Sequence, residues 1–488
     1  MRICIVGAGP AGLLLAQHLM GNHNNNNNAC YDVHVFDKLP NPLLTDSTDS
    51  RSYPIALQAR GLNAIREVSP ALTEKLVAKG QWMDTVRFDT TGKGGVQTMK
   101  RPAASLLMEQ GDLKREMVQF LQEQQGQDAA TTKSSLELHF DCDIQSIFLH
   151  NRTLLASCSK TKEQDAFVFD HLVAADGANS ILREAFAQQD SKFHFDRKRV
   201  PGGYKPLFLE RQAVTTTTTP TTGDKEESKS KPKEPAVLDS AIYGWMKGTQ
   251  NFLSVPLPQK GYSSGVYAFT EDPDPLADCQ TPADVLEYFQ DKVPSLAQFL
   301  SEQEATQLLT RPTSTMCTVR CNRLTAGDNY EAILLGDAAH TFSAALNQGC
   351  NSALQDVQVL QKCLMKHNNN WNDALAAYEQ ERAQDVHAAH ELSDYSLPQT
   401  KLQRVEFIGR MMLRKLPGLK RVIPPLPMDL IYREDLTYSD ILQKCQGWID
   451  KVKTTKSKRA EAAAKEATSI GEDQFTENVG KTKALLLK

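Results

Sequence analysis

The chain reads as an α/β protein, and three observations carry that reading. A hydrophobic strand, Arg2-Ile-Cys-Ile-Val6, runs into a glycine-rich turn that opens a helix. A second strand-to-helix junction, Ala332-Ile-Leu-Leu-Gly-Asp-Ala-Ala-His340 followed by Asn347-Gln-Gly-Cys-Asn-Ser-Ala-Leu-Gln-Asp356, lies more than three hundred residues downstream. Between them short apolar strands alternate with helical patterns and then give way to a strand-rich stretch.

Taken in order, the spacing predicts a strand at 3–6, a helix at 12–20 and a strand at 32–36, which make one βαβ unit. The Asn24 to Asn28 run between helix and second strand reads as a low-complexity surface insertion. Residues 1–196 are expected to form the first part of a nucleotide-binding domain, lending strands near 82–110 to a second layer. That layer, 197–325, is β-rich at 240–245, 251–255 and 265–269, has a helix at 281–292, and is interrupted by a Thr-, Lys- and Pro-rich insertion at 215–235. Residues 326–400 return to the first domain and are largely helical, with Leu375, Tyr378, Arg382, Val386, Ala389 and Leu392 on one face and Pro398 as the stop. A helical segment follows at 401–451, and 452–488 reads as a flexible or partly helical tail.

With 488 residues the chain can bury a large core, and a formal charge of -4 gives no reason to expect nucleic acid as a partner. Its ten cysteines lack a disulfide rhythm, and the Cys317/Cys321 pair has no companion pair to hold a metal. Reduced cysteines, an intracellular location and no bound metal are therefore expected. Because a strand begins at Arg2, no targeting peptide is expected, and no apolar run approaches the roughly 18 residues of a membrane span. Beyond Lys401, apolar Phe407, Ile408, Met411, Met412 and Leu413 mingle with Arg404, Arg410, Arg414, Lys415, Lys420 and Arg421. This stretch reads either as a helix packed on the core with a solvated basic face or as a peripheral contact with anionic lipid.

Three motifs carry the chemistry. In Gly7-Ala-Gly-Pro-Ala-Gly12, Gly7 permits the tight turn, Gly9 lets a pyrophosphate approach the backbone, and Gly12 allows close helix–strand packing; Pro10 and Ala11 complete the turn. The helix N-terminus favours phosphate, and Asp37 at the end of the next strand suits ribose hydroxyls. In the second motif a strand ends at Asp176-Gly177, with Ser180 and Arg183 in the next turn. By itself that stretch also fits an ordinary strand–turn–helix with a capping Asp. The third is the downstream junction, where Gly336-Asp337 can hold ribityl hydroxyls and Gln348-Gly-Cys-Asn351 opens a helix whose N–H groups can face a flavin carbonyl. Two such junctions point to a flavin gripped at both ends. His340 reads as a hydrogen-bonded structural histidine rather than a base.

In this order, G-x-G-x-x-G, A-D-G-x-x-S-x-x-R and G-D-A-A-H with a Q-G-x-N-x-x-x-x-D helix, the chain resembles the single-component FAD-dependent aromatic hydroxylases, the group A monooxygenases. Within them it is most similar to the kynurenine 3-monooxygenase family, over nearly the whole chain to about Lys451. Supporting segments are Arg51-Ser-Tyr-Pro-Ile-Ala-Leu-Gln-Ala-Arg-Gly61, Gly203-Tyr-Lys-Pro-Leu207, Met316-Cys-Thr-Val-Arg-Cys321 and the stretch ending Leu392-Ser-Asp-Tyr395. The resemblance implies a Rossmann-like FAD-binding domain of the glutathione-reductase type with an inserted β-rich substrate domain and a C-terminal helical segment. It implies FAD as cofactor, NADPH (NADH as the alternative) as transient reductant, dioxygen as co-substrate, and hydroxylation of a small aromatic ring through a flavin C4a-hydroperoxide. Kynurenine, giving 3-hydroxykynurenine, is the first candidate. Because the flavin carries the chemistry, no catalytic acid–base residue is expected. Cofactor contacts are expected at Gly7, Gly9, Pro10, Ala11, Gly12, Asp37, Arg60, Gln110, Asp176, Gly177, Arg183, Gly336, Asp337, Gln348, Gly349, Cys350 and Asn351. The same resemblance implies a cytoplasmic site or the outer face of mitochondria.

Five positions depart from the family pattern. Ala344 occupies a position that is usually proline, Asn347 one that is usually glycine, and Gln110 one that is usually arginine. The family's substrate-carboxylate Arg and Tyr fall at Thr85 and Thr98. Arg87, two residues along the same strand and so on the same face, reads either as a substitute cation for the carboxylate or as a surface arginine. Tyr395 reads as a second carboxylate contact or, more readily, as a core-edge tyrosine, and Asn351 is a further substrate contact. Other readings on the same scaffold are a flavin-dependent reductase or halogenase, although the W-x-W-x-I-P signature is absent, and a non-catalytic flavin-binding interaction protein. The sequence does not determine the oligomeric state.

Overall fold

A computed structural model describes residues 1–21, 30–45, 52–91, 93, 95–128, 134–159, 164–210, 241–327, 329 and 331–486. The Asn24 to Asn28 run and the 215–235 insertion lie outside the described residues.

Along the chain, β1 (Arg2–Val6), α1 (Pro10–Gly21) and β2 (Asp32–Asp37) form the expected βαβ unit. Then come β3 (Pro54–Leu57), α2 (Ala59–Val68), α3 (Pro70–Lys79), β4 (Gln81–Asp89), β5 (Val96–Glu109), α4 (Gln110–Asp128) and β6 (Ser135–Phe140). A meander of β7 (Cys142–Phe148), β8 (Thr153–Cys158) and β9 (Gln164–Val168) leads to β10 (His171–Ala174) and α5 (Ile181–Gln189). The strand-rich stretch holds β11 (Phe195–Arg199), β12 (Gly203–Glu210), β13 (Ile242–Lys247), β14 (Gln250–Leu257) and β15 (Tyr262–Phe269). After α6 (Pro282–Lys292), α7 (Pro294–Ala297) and α8 (Glu302–Thr310) come β16 (Cys317–Cys321), β17 (Thr325–Ala326), β18 (Ala332–Leu334) and β19 (His340–Thr341). The remainder is helical: α9 (Gly349–Lys366), α10 (Trp371–Tyr395), α11 (Lys401–Leu413), α12 (Pro427–Leu430) and α13 (Tyr438–Leu486).

The first sheet runs β17–β18–β10–β1–β2–β6, parallel except where β17 turns back on β18. The chain leaves β1 toward β2 on one side and returns as β10 on the other. The carboxyl end of β1 is therefore a topological switch point, where open α/β sheets bind ligands. The second sheet runs β12–β15–β14–β13–β4–β5–β3, so the 82–110 strands do join the later β-rich stretch. One face of it packs Leu207, Leu209, Trp245, Phe252, Tyr267 and Phe269 against apolar residues of α6, α7 and α8. The other carries Ala56, Met83, Val86, Leu107, Ile242, Val255 and Leu257.

Residues 1–342 and 347–383, which carry both sheets, form one compact unit, and 343–346 with 384–488 form a second. Of the stretch expected as flexible or partly helical, the part through Leu486 is helical, as its Ala-, Lys- and Glu-rich composition favours. The expectation of reduced cysteines is corrected at one pair. Cys142 and Cys158 are bonded to each other; they face one another across the antiparallel β7–β8 pair, a register that a spacing of 16 residues does not announce. The other eight cysteines, Cys317 and Cys321 among them, form no disulfide. The predicted face of α10 is buried throughout, from Leu375 to Leu392.

One buried group makes the first unit acid-sensitive. His18 lies inside on α1 with its Nε2 unpartnered, and burial lowers its pKa from the usual 6.5 to about 4. The unfolded chain therefore takes up a proton at His18 before the folded chain does. This contribution leaves stability intact above pH 6.5 and removes it progressively as pH falls toward 4. At pH 5 the loss is about 2 kcal/mol. Urea unfolding of His18→Leu at pH 7 and pH 5 should show a pH dependence smaller by that amount than the parent's. Equal dependence in both proteins would remove His18 as the cause.

Candidate functional site

A cavity of about 830 Å³ opens at the switch point, lined from one end by Gly7, Gly9, Pro10, Asp37 and Lys114 and further along by Gln110, Asp176, Gly177, Tyr53, Tyr204 and Ser314. The glycines divide the work as the motif predicts. Gly7 has φ +107°, and a Cβ there would lie 2.1 Å from the Ala175 carbonyl oxygen; a Cβ on Gly12 would lie 2.1 Å from that of Gly7. At Gly9 a Cβ would meet nothing closer than 4.0 Å. Protein packing does not require a glycine there, whereas close approach of a phosphate does.

Asp37 ends β2 at the cavity wall, where Oδ2 accepts hydrogen bonds from Ala8 N (3.1 Å) and Lys114 Nζ (2.7 Å). Lys114 and Arg115 sit one turn into α4, whose first residue is Gln110. They bring to the wall the positive charge that Gln110 lacks. Nothing in the sequence motif marked Lys114, because its place follows from how α4 packs beside β2.

Asp176 Oδ2 accepts from Ile181 N (3.0 Å) and Leu182 N (3.3 Å), so it does cap α5, while its other oxygen is buried without a partner beside the cavity. Burial raises its pKa against the pull of Ser180 and the helix N–H groups. Arg183 corrects the sequence expectation. It is fully buried, donates to Ala338 O (2.8 Å) and Ala178 O (2.9 Å), and is absent from the cavity wall. It fastens the Asp176 turn to the Asp337 turn and so positions both.

Gly336 (φ +59°) starts the 3-10 turn that presents Asp337. Asp337 is solvent-accessible although protein surrounds it, as a group beside a hollow would be. Burial pushes its carboxyl above the usual range, and Tyr53 and Tyr204, whose rings meet edge to face at 6.2 Å, both feel its charge. Burial, with Asp337 adding to it, also pushes the Cys350 thiol up to about 12. Behind the turn lies a closed network. Asp356 accepts from Gly336 N (2.7 Å) and Arg382 Nε (2.7 Å) and bonds His340 Nε2 (2.7 Å), with all three side chains buried. His340 is thus structural.

Helix α9 starts at Gly349, and no side chain caps it, which leaves N–H groups for a ligand. Asn347 before it has φ +55°; asparagine tolerates this left-handed region, which accounts for a position usually held by glycine. Gln348 donates to Gln58 Oε1 (2.7 Å). The Asn351 side chain, expected as a substrate contact, is otherwise engaged: its amide accepts from Gln58 N (2.8 Å) and donates to Ala56 O (3.0 Å) and Asn347 O (3.3 Å). With those bonds its side chain is committed to joining α9 to β3, leaving the backbone for ligands. Arg60 is buried on α2.

Arg87 is not on the cavity side. Its register partner Tyr243 packs on the helix-backed face, accepts a bond from Arg87 NH1 (2.8 Å), and is followed along that face by Asp89, which accepts from Ser295 of α7 (2.6 Å). On β12, Leu207 and Leu209 share that face, whereas Tyr204 points from the other into the cavity. A bulge between Met83 and Thr85 shifts the alternation of β4, which a count along the sequence cannot foresee. Arg101, on β5, alternates instead with Ser105 and Leu107 toward the Met83 and Val86 cluster. It donates to Met83 O (2.6 Å), its Nε is buried without a partner, and so is the Ser105 hydroxyl. Tyr395 lies in the second unit, with Lys453 and Lys456 ammonium groups 5.4 and 5.3 Å from its ring centre. There α11 and the turns after it leave Leu402, Val405, Ile408, Met412, Leu416 and Val422 exposed beside exposed Lys401, Arg404, Lys415 and Lys420, and no helix among the described residues is long and apolar enough to cross a membrane.

The glycine turn before α1, Asp37 at the end of β2, the unpartnered Asp176 oxygen and the uncapped start of α9 near Asp337 are residues that fit FAD. A family model for an FAD binding domain matches residues 291–393. Kynurenine 3-monooxygenase of Flavobacterium psychrophilum is 24% identical over 402 residues, covering 80% of this chain and 78% of its own. That of Salinispora tropica is 26% identical over 427 residues, covering 85% of each chain. Among solved structures, 2-methyl-3-hydroxypyridine-5-carboxylic acid oxygenase superposes with a TM-score of 0.58 at 18% identity, covering 88% of this chain and 95% of that one. Tetracycline destructase Tet(51) gives 0.54 at 14% identity, over 86% and 98%. The chain is an FAD-dependent monooxygenase, similar in sequence to the kynurenine 3-monooxygenases.

Proposed function

We propose that this monooxygenase hydroxylates a small aromatic amino acid, L-kynurenine being the first candidate, with NADPH as reductant and NADH as the alternative. Bound FAD supplies hydride acceptance from the nicotinamide and activation of dioxygen for transfer to an electron-rich ring. Gly9 and the α1 N-terminus hold the pyrophosphate, Asp37 the ribose, Asp337 the ribityl chain, and the α9 N-terminus favours negative charge on the reduced ring. The observation that carries the substrate class is the cavity-side face of the second sheet. It is apolar around Met83, Val86, Leu107 and Ile242, with Arg101 as a cation whose Nε lacks a partner. An aromatic ring suits the former and a carboxylate the latter.

The test is NADPH oxidation by the purified FAD-loaded protein with and without L-kynurenine, scoring 3-hydroxykynurenine against hydrogen peroxide. Stimulated turnover with hydroxylated product sustains the proposal; unstimulated oxidation giving only peroxide removes kynurenine. Arg101→Ala should raise the substrate KM about ten- to hundredfold, as loss of about 1.5–3 kcal/mol of bonding to a charged group requires. Arg87→Ala should leave KM within about twofold and cost about 1 kcal/mol of stability. The reverse pattern would restore Arg87 as the anchor.

We further propose that α11 rests on an anionic membrane surface, its exposed apolar residues entering the headgroup region beside the lysines and arginines. The protein should co-sediment with phosphatidylserine-rich vesicles, and Leu402→Glu with Val405→Glu should abolish this without changing flavin content. No co-sedimentation at low salt would remove the idea.

A further inference from the structure

Away from the cofactor cavity, at the β2–β6 edge of the first sheet, three side chains converge in a way the flavin chemistry does not use. β2 and β6 run parallel with His34 opposite Glu137 and Phe36 opposite His139. Alternation along each strand puts all four on one face. His34 Nδ1 lies 3.1 Å from His139 Nε2 and 3.7 Å from Glu137 Oε2, and the latter two atoms are 3.5 Å apart. We propose that His34, Glu137 and His139 form a binding site for a divalent transition-metal ion of the zinc type.

The spacing is what such an ion needs. Zinc bonds imidazole nitrogen and carboxylate oxygen at about 2.0–2.2 Å in a tetrahedron, which sets neighbouring donors roughly 3.3–3.5 Å apart. The three observed separations bracket that value, so an ion can sit just above the plane of the donors without moving either strand. Two imidazoles and one carboxylate suit zinc, cobalt and nickel.

The surroundings add what a bare hydrogen-bonded histidine pair does not require. His34 Nε2 lies 3.3 Å from Asp32 Oδ1, and Asp32 is itself held by Arg2 Nε (2.7 Å) and the Ser135 hydroxyl (2.7 Å). A carboxylate on the far nitrogen is the usual partner of a metal-bound histidine; it keeps the proton there and turns the Nδ1 lone pair toward the cluster. Phe36 stacks on His139 at 4.6 Å, and Phe167 of β9 meets the same ring edge-on at 5.4 Å, which fixes its plane. Glu137 is exposed and His139 half-buried, leaving an entry path and a fourth position for water. An ion here would tie β6 to β2 three residues before Asp37.

The experiment uses the full chain, loaded with FAD, free of any histidine tag and stripped with a chelator. Zn²⁺ or Co²⁺ is then titrated by calorimetry, with visible absorption of Co²⁺ and thermal unfolding followed in parallel. The expected result is one ion per chain, a tetrahedral cobalt spectrum and a raised Tm. His139→Ala and the exposed Glu137→Gln should each weaken binding at least tenfold while flavin content stays unchanged. Asp32→Asn, acting through His34, should weaken it about ten- to hundredfold. Absence of binding, or binding equal in the parent and in both ligand variants, overturns the site and leaves a hydrogen bond between two imidazoles.

Discussion

Asp356→Ala should lose about 3–5 kcal/mol of folding stability, because it removes one partner from a fully desolvated charge network. Arg382, His340 and the Gly336 N–H all converge on this carboxylate, with every side chain buried. Burial alone would raise the Asp356 pKa; the charges of His340 and Arg382, with the hydrogen bonds they and Gly336 provide, outweigh it and hold the group below the usual carboxylate range. Without it the Arg382 guanidinium keeps its bonds to Ser352 but loses its counter-charge, and the turn bearing Asp337 loses the bond that sets it. Chemical denaturation should therefore show a large drop, accompanied by loss of flavin. A change below about 1 kcal/mol would mean that the network is relieved by rearrangement.

Asp337→Ala should give the opposite profile: a folded protein that retains little or no FAD. The side chain is accessible and carries no structural bond comparable to those of Asp356, so the apoprotein should unfold at nearly the parent's temperature. Loss of hydrogen bonds from cofactor hydroxyls to a charged group, about 1.5–3 kcal/mol, weakens FAD by roughly ten- to hundredfold or more. The flavin absorbance of the purified protein, measured before and after gel filtration, checks it. Full retention of FAD by the variant would contradict the ribityl assignment. Comparing the two substitutions separates holding the cofactor from holding the turn.

The legible part of the site was the part written in backbone conformation. Gly7, Gly12 and Gly336 stand where a Cβ would collide or where φ is positive, and those demands act within a few residues, so a motif records them. Even Asn347, a departure from the family pattern, obeys the same local rule. The acidic residues at strand ends, Asp37, Asp176 and Asp337, were legible for the same reason.

Other residues depended on partners far along the chain. Arg183 carries the motif yet reaches across 155 residues to Ala338, and Asn351 spends its amide on Ala56 and Gln58. A shift of register between β4 and β5 at Met83/Thr85 leaves Arg87 on the helix-backed face and Arg101 on the other. Lys114 and the Cys142–Cys158 bond were likewise invisible until strands and helices lay side by side.

The sequence alone thus determined the class of fold and its two glycine-bearing strand-to-helix junctions, because glycine conformation and helix-end polarity are local properties of the chain. Only the tertiary structure decided which face each substrate-side residue occupies, which polar groups are already satisfied, and where His34 meets His139. Those outcomes follow from strand register and long-range packing, where a shift of one residue moves a side chain to the opposite side of a sheet.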